Sequence, residues 1–208
     1  MLAFSTLVGF VVVVLGLFLI PGPAVLLTVT RTAQGGRKGG ILTGLGIATG
    51  DMIHTLFAAV GLSAILMTSS VAFQFVKYAG VAYLLYLGIK AILEKPRAPE
   101  LPQIAPVSPR KAFGQAVVIE VLNPKTSLFF LAFLPQFVNP AHGSSVAQFL
   151  QLGLVFVLLS VLYTTFLALS VGALGRVLRR VSWLGRWSGK IVGAIYISLG
   201  VRVAMQQR

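Results

Sequence analysis

The 208-residue chain has no cysteine, two histidines and only four acidic residues. Without cysteine it can form no disulfide, no thiolate metal site and no thiol redox centre. The sparse histidines and carboxylates form no cluster of the kind a transition-metal exporter or metalloenzyme uses. No HExxH, G-x-S-x-G or P-loop pattern occurs, so the motifs of an intramembrane protease, a serine hydrolase and an ATP-driven pump are all missing. The sequence reads as a non-enzyme that needs no cofactor and no metal. It also lacks a polar stretch long enough to fold as a soluble domain, the longest being the linker near Lys95 to Lys111.

What fills the chain is apolar. Hydrophobic residues make up 57%, charged residues 10%, and the mean hydropathy is +0.93, a composition foreign to soluble domains. Six apolar stretches follow one another: Phe4–Thr30, Gly40–Met67, Val71–Leu93, Ala112–Val138, Val146–Gly175 and Gly189–Met205. Most reach the roughly 20 residues that a spanning helix needs, and the surplus in several suits tilted or broken helices. The first has no basic n-region and no A-x-A cleavage pattern, which predicts a retained helix and not a signal peptide.

The formal charge of +13 does not point to nucleic acid, because it is divided among connections instead of forming one patch. Arg31, Arg37 and Lys38 follow the first stretch; Lys90, Lys95, Arg97, Arg110 and Lys111 surround the linker; Arg176, Arg179, Arg180, Arg186 and Lys190 precede the last. Connections after the second and fourth stretches carry no Lys or Arg. Cytoplasmic loops accumulate these residues, so both termini are expected outside, with Arg202 and Arg208 as the minor exception.

Three helices on each side of a linker enter the membrane from opposite faces, the arrangement of an inverted repeat. Lys77-x-x-Gly80-x-x-Tyr83 with Leu87-Gly88 recurs as Lys190-x-x-Gly193-x-x-Tyr196 with Leu199-Gly200, and Gly22-Pro23 is echoed by Asn123-Pro124. The expected fold is an all-α integral membrane protein of six transmembrane helices in two inverted three-helix repeats, residues 1–95 and 111–208, with helices 1 and 4 broken or kinked. Residues 96–110 join them. The segment from Glu94 to Pro109 contains Pro96, Pro99, Pro102, Pro106 and Pro109 and reads as an extended cytoplasmic spacer.

The breaks mark the candidate site. Proline removes a backbone N–H and ends or kinks a helix, and freed backbone groups persist at membrane depth only beside protein or a wet cavity. Pro21, Gly22 and Pro23 in helix 1 and Asn123, Pro124 and Lys125 in helix 4 are therefore expected to face one another across a substrate site. Half-helix N-termini there suit a carboxylate, and unsatisfied carbonyls suit an ammonium group. Asp51 lies about eleven residues into helix 2, roughly 16 Å from its cytoplasmic end, beside Thr43, Gly46, Gly50 and His54.

An acid at that depth should face a cavity or a partner and not lipid. Glu120 and Lys125 share the depth. Lys125 either clamps one carboxylate or contacts substrate, and a carboxylate left without a cation partner suits proton coupling, with His54 close enough to Asp51 to share a proton. Ser160, Tyr163 and Thr164 occupy one face of helix 5 at the same level, where back-bonding to their own turn is the plainer role. Lys77 is expected to snorkel to the outer surface.

Phe18-Leu19-Ile20-Pro21-Gly22-Pro23, Gly46-Ile47-Ala48-Thr49-Gly50-Asp51, the Lys77–Leu84 run with Gly88, and Leu122-Asn123-Pro124-Lys125 followed by Phe129-Phe130 and Pro135-Gln136-Phe137 resemble the LysE/RhtB family of bacterial amino-acid exporters. The resemblance covers essentially the whole chain. It implies a multi-pass protein of the bacterial inner membrane that exports a neutral or hydrophobic amino acid, or a homoserine- or threonine-like derivative, in exchange for protons; it leaves a homodimer open. Its partners would be an amino acid, protons and membrane lipid. One departure is Glu120, where the family pattern carries a neutral polar residue, and it bears on substrate charge and proton stoichiometry. The alternative reading is a passive channel or small-ion permease.

Overall fold

The computed structural model describes residues 2–18, 22–68, 70–93, 104–178, 190, 193–198, 200–201 and 204–205. Pro21, the linker prolines Pro96, Pro99 and Pro102, and the basic positions between 179 and 189 lie outside the described residues. Helix α1 is Phe4–Phe18 and α2 is Pro23–Phe57, continued by a π-helical turn, Ala58–Leu62, and by α3, Ser63–Thr68. Helix α4 is Ser70–Leu93, α5 Pro109–Val121 and α6 Pro124–Leu128. A second π-helical turn, Phe129–Phe133, follows, then 3-10 turns Leu134–Phe137 and Pro140–His142, and the long α7, Ser145–Leu178. Residues 193–198 are helical again, and the described residues contain no strand.

Among the described residues, Pro23–Ile65 and Ser145–Ser170 are each long and apolar enough to cross a membrane. Pro109–Val121 and Pro124–Phe137 qualify together as one span bent by 43°. Both chain breaks expected from the prolines are visible. Helix α1 is described as far as Phe18, and α2 starts at Pro23 behind an extended Gly22 (φ −119°, ψ −175°). Between α5 and α6, Leu122 leaves the helical region, and Asn123 caps α6 by accepting from the Lys125 N–H at 3.1 Å.

One boundary differs from the sequence reading. The segment after Thr30 is not an open loop, because α2 runs on to a sharp break at Gly36 (φ 65°, ψ −169°) and resumes at once. That left-handed φ is open to glycine without the clash a Cβ brings. The turn is tight enough to put Arg31 and Gly39 side by side, since a Cβ on Gly39 would fall 2.9 Å from the Arg31 carbonyl oxygen.

Helix α2 is the centre of the molecule, packed between α5 and α7. Its glycines set the spacing. A Cβ on Gly50 would meet Glu120 Cβ at 2.6 Å, and one on Gly46 would collide with the Phe113 carbonyl and Ala116, so α5 lies backbone-close on this face. Small residues permit such approach where lipid supplies no hydrophobic drive. Gly44 does the same against Thr164 of α7. A cluster of Phe10, Phe129, Phe130, Phe133 and Phe156 fills the adjoining core, with Phe129 and Phe133 stacked at 5.6 Å. Lys77 does not reach the surface: it is 7% exposed, with Nζ 5.4 Å above the Tyr78 ring.

The repeated glycine motifs meet. A Cβ on Gly88 would lie 2.7 Å from Ile197 Cγ1, and one on Gly200 would lie 3.5 Å from Leu84 Cβ. The glycine of each copy thus packs against the residue that follows the tyrosine of the other.

Candidate substrate cavity

The two breaks line one cavity. Its wall is formed by Leu17, Phe18 and Gly22 from the first break, Ala24 and Val25 from the start of α2, and Ile47 and Asp51 further along α2. Glu120, Asn123, Lys125 and Thr126 come from the second break, and Phe156, Ser160, Tyr163 and Thr164 from α7. Of the sequence-predicted site residues, Gly22, Asp51, Glu120, Asn123 and Lys125 are brought together here. Pro124 starts α6 beside them. Free space within the cavity is about 40 Å³. One water needs roughly 10–15 Å³ on this measure, so this state holds a few waters and no amino acid.

Asp51 is the group left incomplete. It is 1% exposed and set against Ser160 and the Glu120 carboxyl, while its Oδ2 has no hydrogen-bond partner among the described residues. A buried polar atom without a partner carries a desolvation penalty of about 1–3 kcal/mol. Glu120, 2% exposed, is by contrast bonded through both oxygens: it accepts from Asn123 Nδ2 at 3.1 and 3.3 Å and from the Thr126 hydroxyl. Its carboxyl thereby straps the α5–α6 break together. Thr126 was not singled out from sequence, since only the bend brings residue 126 back to residue 120.

His54 does not turn to Asp51. Its Nε2–H donates to the Glu120 carbonyl oxygen at 3.1 Å, and its ring lies 5.6 Å from that of Phe130. Lys125 Nζ donates to the Leu17 carbonyl at 2.7 Å, on the last turn of α1, where exposed carbonyls favour a cation. Its stem passes Gly22, where a Cβ would fall 3.3 Å from Lys125 Cδ.

The start of α2 is open. Gly22 offers no side-chain cap, so the first N–H groups of α2, those of Ala24 and Val25, have no acceptor within the helix and sit in the cavity wall. Ser160, Tyr163 and Thr164 also face the cavity, although the Thr164 hydroxyl bonds back to the Ser160 carbonyl at 2.8 Å as sequence led one to expect. Tyr163 stacks on Phe18 at 5.3 Å.

Arg31 escaped the sequence reading, which took it as a loop charge. It is 4% exposed, donating to the Ala105 carbonyl and to the Gln115 side chain, each at 2.7 Å, and to Gln34 Oε1 at 2.9 Å. Gln34 in turn donates to the Ile104 carbonyl at 2.5 Å. The end of the linker is pinned to α2. No residue pattern announces this, because the acceptors that the linker offers, the Ala105 and Ile104 carbonyls, are backbone.

An apolar helical chain whose buried charges gather at broken helices is built as a membrane transporter. The chain belongs to the LysE type translocator family, whose model matches residues 8–207. It is 33% identical over 200 residues to a membrane protein of Pseudomonas aeruginosa, covering 94% of this chain and 93% of that one. It is 29% identical over 202 residues to the leucine efflux protein of Salmonella typhimurium, covering 97% and 93%. A membrane protein of Bacillus subtilis is 29% identical over 209 residues, covering 96% and 99%. No solved structure matches the chain.

Proposed function

We infer that the protein is a proton-coupled exporter of a neutral, apolar amino acid. It would lie in the bacterial inner membrane with both termini outside, its six spans forming two inverted repeats, residues 1–95 and 111–208, joined by the linker 96–110. The reciprocal packing of Gly88 on Ile197 and Gly200 on Leu84 supports the repeat, and the distribution of Lys and Arg supports the orientation.

The observation that carries the reading is a single cavity with an uncapped helix start at one side and an unpartnered carboxyl oxygen at another. The N–H groups at the start of α2, with Lys125 beside them, take the substrate carboxylate. Asp51 Oδ2 takes the ammonium group. Leu17, Phe18, Val25, Ile47 and Phe156 surround the remaining space and suit an aliphatic side chain, in keeping with a relative named for leucine efflux.

Coupling follows from competition. Asp51 holds either a proton or the substrate ammonium, and the adjacent Glu120 makes an empty, doubly charged site costly. Exchange of one for the other on opposite sides of the membrane is antiport. At one-to-one exchange and zero membrane potential, each pH unit supports about a tenfold substrate gradient. Leucine carried in proteoliposomes with an imposed pH difference tests this. Asp51→Asn is expected to abolish pH-driven accumulation while the protein remains folded in detergent. Accumulation that survives in the variant removes Asp51 from the mechanism, and leucine that never exceeds equilibrium even in the wild type marks a passive permease instead.

A further inference from the structure

Two backbone carbonyls beside the cavity lose their helical donor to covalent chemistry. In an α-helix the carbonyl of residue i accepts the N–H of residue i+4, and proline has no N–H to give. Pro21 deprives Leu17 of its partner, and Pro124 deprives Glu120. Each orphan is taken up by a side chain from the other half of the sequence: Lys125 Nζ reaches Leu17 at 2.7 Å, and His54 Nε2 reaches Glu120 at 3.1 Å. The two caps are reciprocal, and both lie at the breaks that line the cavity.

They differ in one respect. The Glu120 carbonyl also accepts from the Asn123 N–H at 3.0 Å, and the His54 ring is held against Phe130, so that cap is fixed. Lys125 is held at the end of a flexible stem, and its position divides space. Among the described residues, Lys125 and Leu17 are the two shared by the cavity above and a second cavity lined by Val13, Leu84, Leu87, Phe133 and Tyr196. The bond between them therefore stands where the two cavities adjoin.

We propose that Lys125 is a latch worked by the ligand: it secures the end of α1 while the cavity is empty and releases it when a carboxylate takes its ammonium group. The inference rests on the reading of this cavity as an amino-acid site. An ionised carboxylate is a stronger acceptor for an ammonium than a peptide carbonyl is, and the uncapped start of α2 beside Gly22 draws the anion to within reach of Lys125. Once Lys125 has turned to the ligand, Leu17 loses its donor, the last turn of α1 loosens, and the cavities join. Binding therefore opens the path that the empty protein keeps shut.

The absence of cysteine allows a direct test. A single Val13→Cys reports on the second cavity through its rate of modification by N-ethylmaleimide. In otherwise wild-type protein, leucine is expected to raise that rate about tenfold, the size of effect that loss of one charged hydrogen bond gives, and leucinamide, which has no carboxylate, leaves it unchanged. Lys125→Met is expected to be modified at the raised rate with or without leucine, and Lys125→Arg, which restores a cationic donor, to return towards the slow rate. A Lys125→Met protein labelled at the wild-type rate overturns the latch. So does a wild-type rate that leucine leaves unmoved in protein whose thermal stability leucine does raise. Leucine without effect on stability counts against the transport reading alone, because the Lys125→Met rate judges the cap without any ligand.

Discussion

Proline acts here by what it withholds. Four residues before Pro124 a carbonyl needs a donor, and His54 supplies one from another helix. His54→Ala leaves the Asn123 N–H as the remaining donor, so a loss of about 1 kcal/mol is expected, read as a lowered thermal midpoint in detergent; His54→Gln, with an amide donor at similar reach, should recover much of it. The two carboxylates separate by the same reasoning. Glu120 has its acceptors filled by Asn123 and Thr126, whereas Asp51 has a vacant oxygen. Glu120→Gln is therefore expected to slow leucine movement yet keep it pH-driven, while Asp51→Asn uncouples it, both measured in the same proteoliposomes. Sequence pointed to these ionisable residues through their rarity in an apolar chain, but not to their partners. For His54 and Lys125 those are backbone carbonyls, and a carbonyl has no letter. Counting four back from each proline would have found Leu17 and Glu120.

At the scale of elements, apolar run length and proline position were enough to locate the breaks, because both rest on local chemistry. The course of α2 past Thr30 was not legible: Gly35-Gly36 between basic residues looks like a loop, and only the hydrogen-bonded turns on each side of Gly36 make it a break within helix. The π-helical turns at Ala58–Leu62 and Phe129–Phe133 touch each other, and nothing in their composition marks an extra residue per turn. Glycine spacing was more informative. Gly46 and Gly50 were expected to admit a second backbone, and α5 occupies that face. Gly46→Val pushes a branched side chain against the Phe113 carbonyl and Ala116, and a destabilisation of about 1–3 kcal/mol is expected, seen as earlier thermal unfolding, with Gly61→Ala, which meets nothing within 4 Å, as the neutral control.

Across the whole molecule, the halves are joined by more than a tether. Arg31 and Gln34 grip the carbonyls of Ala105 and Ile104, and Ser108 then caps α5. The linker's proline content led to an expectation of extended chain, and the docking of its end at Ile104 and Ala105 depends on a guanidinium that sequence assigned to a loop. Arg31→Ala should free this end of the linker and speed tryptic cleavage at Arg110 and Lys111 in native protein, a rate read by mass spectrometry, while Arg37→Ala, nearby on the same basic stretch, leaves it unchanged. The charge pattern along the chain supports an expected orientation because it is a sum over many residues; the single buried arginine within it was not legible.

The narrowness of the space between the two breaks sets a condition on any cargo. The room left there is that of a few waters, so an amino acid enters only when the surrounding side chains give way, and loading and rearrangement of the walls are a single event.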